Sequence, residues 1–207
     1  FEHLTQFEMI AADMKGLKAG RLRLAVVTTA EYFAPRLLGM FCQQYPDIEV
    51  SLEVSNRGHI LNRLANNMDD LYILDLPPKN EEIIVQSFLQ NPLVVLASVN
   101  HPLAKKKKIT LKRIAEEPFI FRENGSGTRI ETESFFTKQN LKLETKMTLG
   151  SNEAIKQAIL GGLGVSVLSR HTLTLGSHKD QLAILDVKGF PINCHWHYAY
   201  PSGKNLS

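Results

Sequence analysis

Two stretches of this 207-residue chain carry the same alternation of strand and helix, and that repetition constrains the fold more than any other feature. Residues 21–29 (RLRLAVVTT) alternate and then become continuously apolar, as a strand covered on both faces does. Phe33, Leu37, Leu38 and Phe41 fall on one helical stripe with Pro35 in the first turn, and Pro46 and Asp47 end it. Residues 48–54 (IEVSLEV) alternate as a second strand, Ile60, Leu61, Leu64 and Met68 mark a second helical stripe, and residues 71–76 make a third strand. The order β-α-β-α-β predicts parallel strands joined by right-handed crossovers.

After Pro77-Pro78-Lys79-Asn80, residues 83–89 and 93–98 are expected as two strands broken by Gln90-Asn91-Pro92. A polar connection through His101-Pro102 and the run of lysines at 105–108 leads to a second unit that begins near Pro118. There the rhythm repeats: strand 119–122, tight turn Gly125-Ser126-Gly127, helix 128–140, strand 143–149, helix 153–160, strand 165–168. Ser151 or Asn152 can cap the second of these helices, and Gly161-Gly162 ends it. Residues 182–187 and 192–200 supply two late strands, the last able to return to the first lobe. The expected fold is α/β, two Rossmann-like lobes joined by two crossover strands. Lobe I takes residues 20–97 with 193–207 and lobe II residues 98–192, preceded by a helix remnant at 1–19 on which Phe1, Leu4, Phe7, Ile10 and Met14 share one face. Two crossings imply a hinge, and hinged lobes imply a ligand cleft.

Composition narrows the function classes. At 43% hydrophobic and 22% charged, the chain has the make-up of an ordinary globular protein, and no apolar run approaches the roughly 18 residues a membrane helix needs. The formal charge of +3 is too small an excess to mark a nucleic-acid-binding module. Cys42 and Cys194 stand alone without a CxxC pair, which fits a reducing cytoplasm and two buried thiols. The opening on Phe1, with neither a leader pattern nor a start residue, is expected of a portion of a longer protein.

No GxxxxGK[ST], GxGxxG after a strand, GxSxG elbow or HExxH is present, so nucleotide, hydride, serine-nucleophile and zinc-hydrolase chemistry lose their usual supports. His195 and His197 flank Trp196 in a strand and share a face, but no third ligand accompanies them; they read as strand histidines on a polar face. Glu131 and Glu133, two apart on a helix, do not face each other. No catalytic residue, metal site or cofactor is expected.

What remains is a pair of turns at the carboxyl ends of strands, where ligands settle in open parallel sheets. Thr28-Thr29-Ala30-Glu31 follows the first strand, and Asn124-Gly125-Ser126-Gly127-Thr128-Arg129 opens a helix in the second lobe. Each offers hydroxyls and free amides at a positive helix end, and Arg129 adds a guanidinium able to grip a carboxylate or phosphate bidentately. Each turn also has a plain reading, an N-cap for the threonines and a tight turn for the glycines. Taken together, the candidate effector-binding residues are Thr28, Thr29, Ser98, Asn124, Ser126, Gly127, Thr128 and Arg129.

The order and spacing of several segments resemble the LysR-type transcriptional regulators. The segments are residues 20–25 (GRLRLA), 33–38 (FAPRLL) with Phe41 and Tyr45-Pro46, Asn91-Pro92-Leu93-Val94-Val95 with His101-Pro102-Leu103, the turn at 125–129, and Gly161-Gly162-Leu163-Gly164-Val165 with Leu168. Residues 28–35 (TTAEYFAP) most resemble the branch that governs Rubisco operons and cyanobacterial bicarbonate uptake. The resemblance implies a type II periplasmic-binding-protein-like sensor domain and no catalysis. It also implies a small anionic effector such as ribulose bisphosphate, 2-phosphoglycolate or 2-oxoglutarate, a homodimer of regulatory domains, and a full-length homotetramer. Promoter DNA would be met through an N-terminal winged helix-turn-helix absent from this sequence; the family's C-terminal helix beyond residues 200–207 is missing as well. The readings weighed against it are a two-lobed solute-binding protein of a transporter and a dehydratase-like enzyme. The latter's Thr-Arg-Asp-Phe pattern is not met by Thr128-Arg129-Ile130.

Overall fold

The computed structural model describes residues 20–174 and 179–203. The helix expected over 1–14, within the 1–19 segment, lies outside the described residues. The chain divides into two compact units, crossing at Gln90/Asn91 and at Cys194/His195. The expected boundaries stood at 97/98 and 192/193, so residues 91–97 and 193–194 move to the second unit, where Ser98 lies as expected.

Unit 1 is built as its sequence rhythm predicts. Strand β1 (Gly20–Val27) leads through a 3-10 turn (Thr28–Tyr32) into α1 (Ala34–Gln44), followed by β2 (Ile48–Ser55), α2 (Arg57–Ala65) and β3 (Leu71–Leu74). β1 pairs in parallel with β2 from Gly20↔Ile48 to Val27↔Ser55, and with β3 at Leu24↔Leu71. The late strand β9 (Ile192–Pro201) runs antiparallel to β3 with Tyr72 opposite Ala199. Leu24, Val26, Ile60, Ile73 and Trp196 are fully buried, and Phe33 meets the Trp196 ring edge-on at 5.2 Å. Met68 departs from its expected stripe and is exposed. α2 ends at Ala65 and Asn67 turns to φ 48, so the chain has left the helix before Met68 could reach the core. The third strand likewise stops at Leu74, two residues short of the expected end.

On β9, the expectation of two histidines on one polar face holds only for His195, which is exposed; His197 is partly buried. Burial, and secondarily the neighbouring His195, push the His197 pKa below its usual value of about 6.5. The unfolded chain therefore takes up this proton first, so the His197 contribution to stability is complete above about pH 6.5 and is lost as pH falls through the lowered value. Urea midpoints between about pH 7 and pH 5 are expected to fall, and to fall less in His197→Gln.

Unit 2 contains the second half of β4 (Ile83–Ser98), α3 (Leu111–Ala115), β5 (Phe119–Arg122), α4 (Gly127–Lys138), β6 (Thr145–Leu149), α5 (Asn152–Leu160), β7 (Ser166–Ser169) and β8 (Leu182–Ile184). The two strands expected at 83–89 and 93–98 are one 16-residue strand. Pro92 does not break it because the unit boundary falls at Gln90/Asn91 and pairing with β7 begins only at Leu93, opposite Ser169. A missing N–H is tolerated where the ladder changes partners.

β5 pairs in parallel with β6, and Val165 ties the entry of β7 to β5. The Val165 N–H donates to Pro118 O at 2.9 Å and the Ile120 N–H donates to Val165 O at 2.8 Å. β4 runs antiparallel to β7 and β8. The strand expected to continue to Val187 ends at Ile184; Val187 instead makes a single bridge with Ile109. Other element ends lie within two residues of expectation, the usual scatter of helix and strand termini. Phe119, Phe136 and Val165 belong to one buried cluster of this unit and Ile120, Ile155 and Ile159 to a second.

Candidate anion-binding site

The site builds outward from the carboxyl end of β5. After Arg122, the exposed Gly125 takes φ 84, a left-handed conformation open to glycine at little cost, and the chain enters the 12-residue α4. Ser126 is its N-cap, extended at φ −62 and ψ 131, yet its side chain makes no capping hydrogen bond. The first N–H groups of a helix have no intrahelical acceptor, and they sit at the positive end of the helix dipole. Here no acidic side chain occupies the first turn. Ser126, Gly127 and Thr128 are buried, and the Thr128 Oγ1 has no hydrogen-bond partner. A hydroxyl that is 1% exposed and unpartnered costs free energy until an acceptor reaches it. Asn124 stays exposed beside this start.

Arg129 stands one residue further on, with a side chain 15% exposed. Its Nε donates to Glu133 Oε1 at 2.8 Å and its Nη1 to Arg122 O at 3.0 Å, and its guanidinium lies 5.0 Å from the centre of the Phe121 ring. Much of the donor fork is therefore committed within unit 2. Glu133 takes the Nε side of the fork and Arg122 O one Nη1 hydrogen, which leaves the Nη1/Nη2 end as the face through which Arg129 could meet an anion.

Two residues that the sequence reading did not assign to the site, Arg122 and Asn152, join the starts of α4 and α5. Arg122, 3% exposed, grips Glu123 through Nε and Nη2 at 2.8 and 2.9 Å and donates from Nη1 to Asn152 Oδ1 at 2.7 Å. The signal was legible as an arginine closing the otherwise apolar strand FIFR. Of the two cap candidates for α5, Ser151 is the cap: its Oγ accepts from Ala154 N at 3.4 Å. Asn152 is left for another role.

Ser98 ends β4, and its Oγ accepts from the Asn100 N–H at 3.3 Å. In unit 1, Thr29 is buried and Thr28 half-buried, but neither caps α1. The intervening 3-10 turn carries the chain to Phe33, which takes the N-cap position. Among the described residues no three His, Cys, Asp or Glu side chains gather as a metal site, and no helix is long and apolar enough to cross a membrane.

Two α/β units, one of them with a helix start whose Ser126 cap makes no side-chain hydrogen bond, are the architecture of a binding domain rather than of a catalytic centre. The chain belongs to the LysR substrate binding domain family, whose model matches residues 15–207. It is 55% identical over 204 residues to the HTH-type transcriptional activator CmpR of Synechocystis sp., covering 99% of this chain and 67% of that protein. It is 45% identical over 206 residues to the RuBisCO operon transcriptional regulator of Acidithiobacillus ferrooxidans, covering 100% of this chain and 67% of that one. The chain thus spans about two thirds of the length of these relatives.

Among solved structures, the regulatory domain of Synechocystis PCC6803 CcmR in complex with 2-PG superposes with a TM-score of 0.86 at 53% identity, covering 91% of this chain and 90% of that one. The two-lobed periplasmic-binding-like fold expected above is the fold of this family. The chain is an effector-binding domain of the LysR type, and the relatives it matches are transcriptional regulators rather than enzymes.

Proposed function

We propose that this domain senses a small metabolite bearing two anionic groups by seating one of them on the start of α4. The observation that carries the reading is the buried, unpartnered Thr128 Oγ1 beside the uncapped Ser126. 2-Phosphoglycolate is the first candidate, since the CcmR domain at 53% identity was solved with 2-PG; ribulose bisphosphate and 2-oxoglutarate are the others. Gly127 lends its backbone, Asn124 and Arg129 flank the group, and Ser98, Thr28 and Thr29 are proposed as further effector contacts. In the full-length protein the domain is proposed to form homodimers within a cytoplasmic homotetramer and to act on promoter DNA through an N-terminal winged helix-turn-helix. Effector binding would do so by shifting the population of domain arrangements.

Calorimetric titration with the three metabolites tests this. Micromolar affinity for at least one is expected, with Thr128→Val losing about tenfold or more, the scale of one hydrogen bond to a charged group. Arg129→Ala is expected to lose less, because Glu133 already holds part of its fork. Absence of binding by all three would end the carbon-metabolite reading, and unchanged affinity in Thr128→Val would move the site away from α4.

A further inference from the structure

The start of α5 is a neighbour of the start of α4. These helices follow β6 and β5, which pair in parallel with Arg122 opposite Leu149, so both helix starts emerge at the same edge of the sheet from strands about 5 Å apart. Arg122 links them directly through its 2.7 Å hydrogen bond to Asn152 Oδ1. A guanidinium can only donate, so the Asn152 amide must turn its oxygen toward Arg122 and its nitrogen away. That nitrogen, Nδ2, is buried and has no hydrogen-bond partner, in a residue only 2% exposed. Thr128 Oγ1 on the adjacent helix start is in the same condition. Two buried polar atoms without partners, on adjacent helix starts joined by one arginine, are what a site awaiting an acceptor-rich ligand leaves behind.

We infer that Asn152 is an effector ligand that donates from Nδ2 to an anionic oxygen of the metabolite, and that Arg122 is the positioning residue that sets its amide. The inference rests on the reading of α4 as the effector site and extends it to a cradle made of two helix starts. Arg122 does not itself serve as the counterion, because Glu123 already takes its Nε and Nη2. The ligand class is a phosphate or carboxylate presenting several acceptor oxygens and no donor where Asn152 meets it. A carboxylate at position 152 would keep the acceptor that Arg122 needs while turning the donor into a repelling anion.

The test is titration of 2-phosphoglycolate into the 207-residue chain and its variants, with melting temperatures recorded beside each affinity. Asn152→Asp is expected to lose about thirtyfold or more in affinity with no drop in melting temperature. Ser151→Asp places the same charge one residue earlier on a side chain that still caps, and is expected to lose less than about threefold. Equal losses in the two variants would reduce the effect to a general field and overturn the assignment. Wild-type affinity in Asn152→Asp would overturn it too, while a loss in Thr128→Val would leave the α4 reading standing. If the unaltered chain binds no 2-phosphoglycolate, the same variants are titrated with ribulose bisphosphate and 2-oxoglutarate; binding of none of the three overturns the α4 reading and this inference with it. Arg122→Lys combined with Asn152→Asp is expected to lose no more than Asn152→Asp alone; additive losses would remove the positioning role from Arg122.

Discussion

Gly164→Ala is expected to cost unit 2 about 4 kcal/mol or more, enough to leave it largely unfolded in a domain of ordinary stability. Gly164 sits at φ +143, a conformation that side chains rarely adopt, and a Cβ built there would stand 2.1 Å from Pro118 O and 2.9 Å from its carbonyl carbon. The obstacle is backbone, which cannot swing aside as a flexible side chain would. Relief requires moving the chain just before β7 away from β5. That movement breaks the Val165 N–H to Pro118 O hydrogen bond and opens the packing of Phe119 and Val165, both fully buried. Chemical denaturation followed by circular dichroism is the check, and a loss below about 1 kcal/mol would show that the Pro118 segment can yield. The exposed Gly162, whose added Cβ would meet nothing within 4 Å, supplies the contrast: Gly162→Ala carries only the strain of φ +76 and is expected to cost about 1 kcal/mol.

Asp69→Ala is expected to cost unit 1 about 3 kcal/mol. Asp69 is 2% exposed and takes both arms of Arg63, Nε at 2.8 Å and Nη2 at 2.7 Å. The same turn is held by Tyr72, whose hydroxyl accepts from the Asp69 N–H at 2.8 Å and donates to Arg63 O at 3.0 Å. The hydrogen bond from Arg63 to Asp69 raises the Arg63 pKa, and burial raises that of Tyr72; this neighbourhood is built around a fixed carboxylate. Truncating Asp69 leaves the guanidinium of Arg63, whose side chain is 18% exposed, without its carboxylate partner. Asp69→Asn keeps an acceptor and is expected to lose about half as much, while Arg63→Met combined with Asp69→Ala should recover part of the loss because no charge is then left buried. Urea midpoints of the four proteins decide it, and a double variant no more stable than Asp69→Ala alone would show that the stranded charge is not the cause.

These two sites were unequally legible. The Gly161-Gly162-Leu163-Gly164 run read as a helix stop, yet which glycine is indispensable depends on Pro118, nearly fifty residues away in sequence. The Arg63–Asp69 pair carried no periodic signal, since a buried charge looks in sequence like a solvated one.

The binding region shows the same division. Gly125 to Arg129 announced itself through local chemistry, since glycine, hydroxyl and arginine at a strand-to-helix turn already imply free amides at a helix start. The commitment of Arg129 to Glu133 also lay within reach as an i,i+4 spacing. Asn152 did not, because its cap-like sequence context is local while its function turns on a 30-residue separation from Arg122. The strand that ends at Ser98 was read as two because Pro92 looks like a strand break when only local propensity is weighed.

The chain's own periodicities determined the alternation of strand and helix and the parallel β-α-β pairing of unit 1, and its motifs, by resemblance, pointed to its family. These follow from nearest-neighbour constraints: side-chain spacing, capping and the φ restrictions of glycine and proline. Only the tertiary structure decided that β4 runs unbroken through Pro92, that Met68 lies outside its helix, that Thr28 and Thr29 do not cap α1, and that Arg122 aims Asn152. The course of β4 and the pairing of Arg122 with Asn152 depend on which distant segment lies alongside. Long-range pairing is set by the summed burial of a whole unit, which no local window of sequence contains.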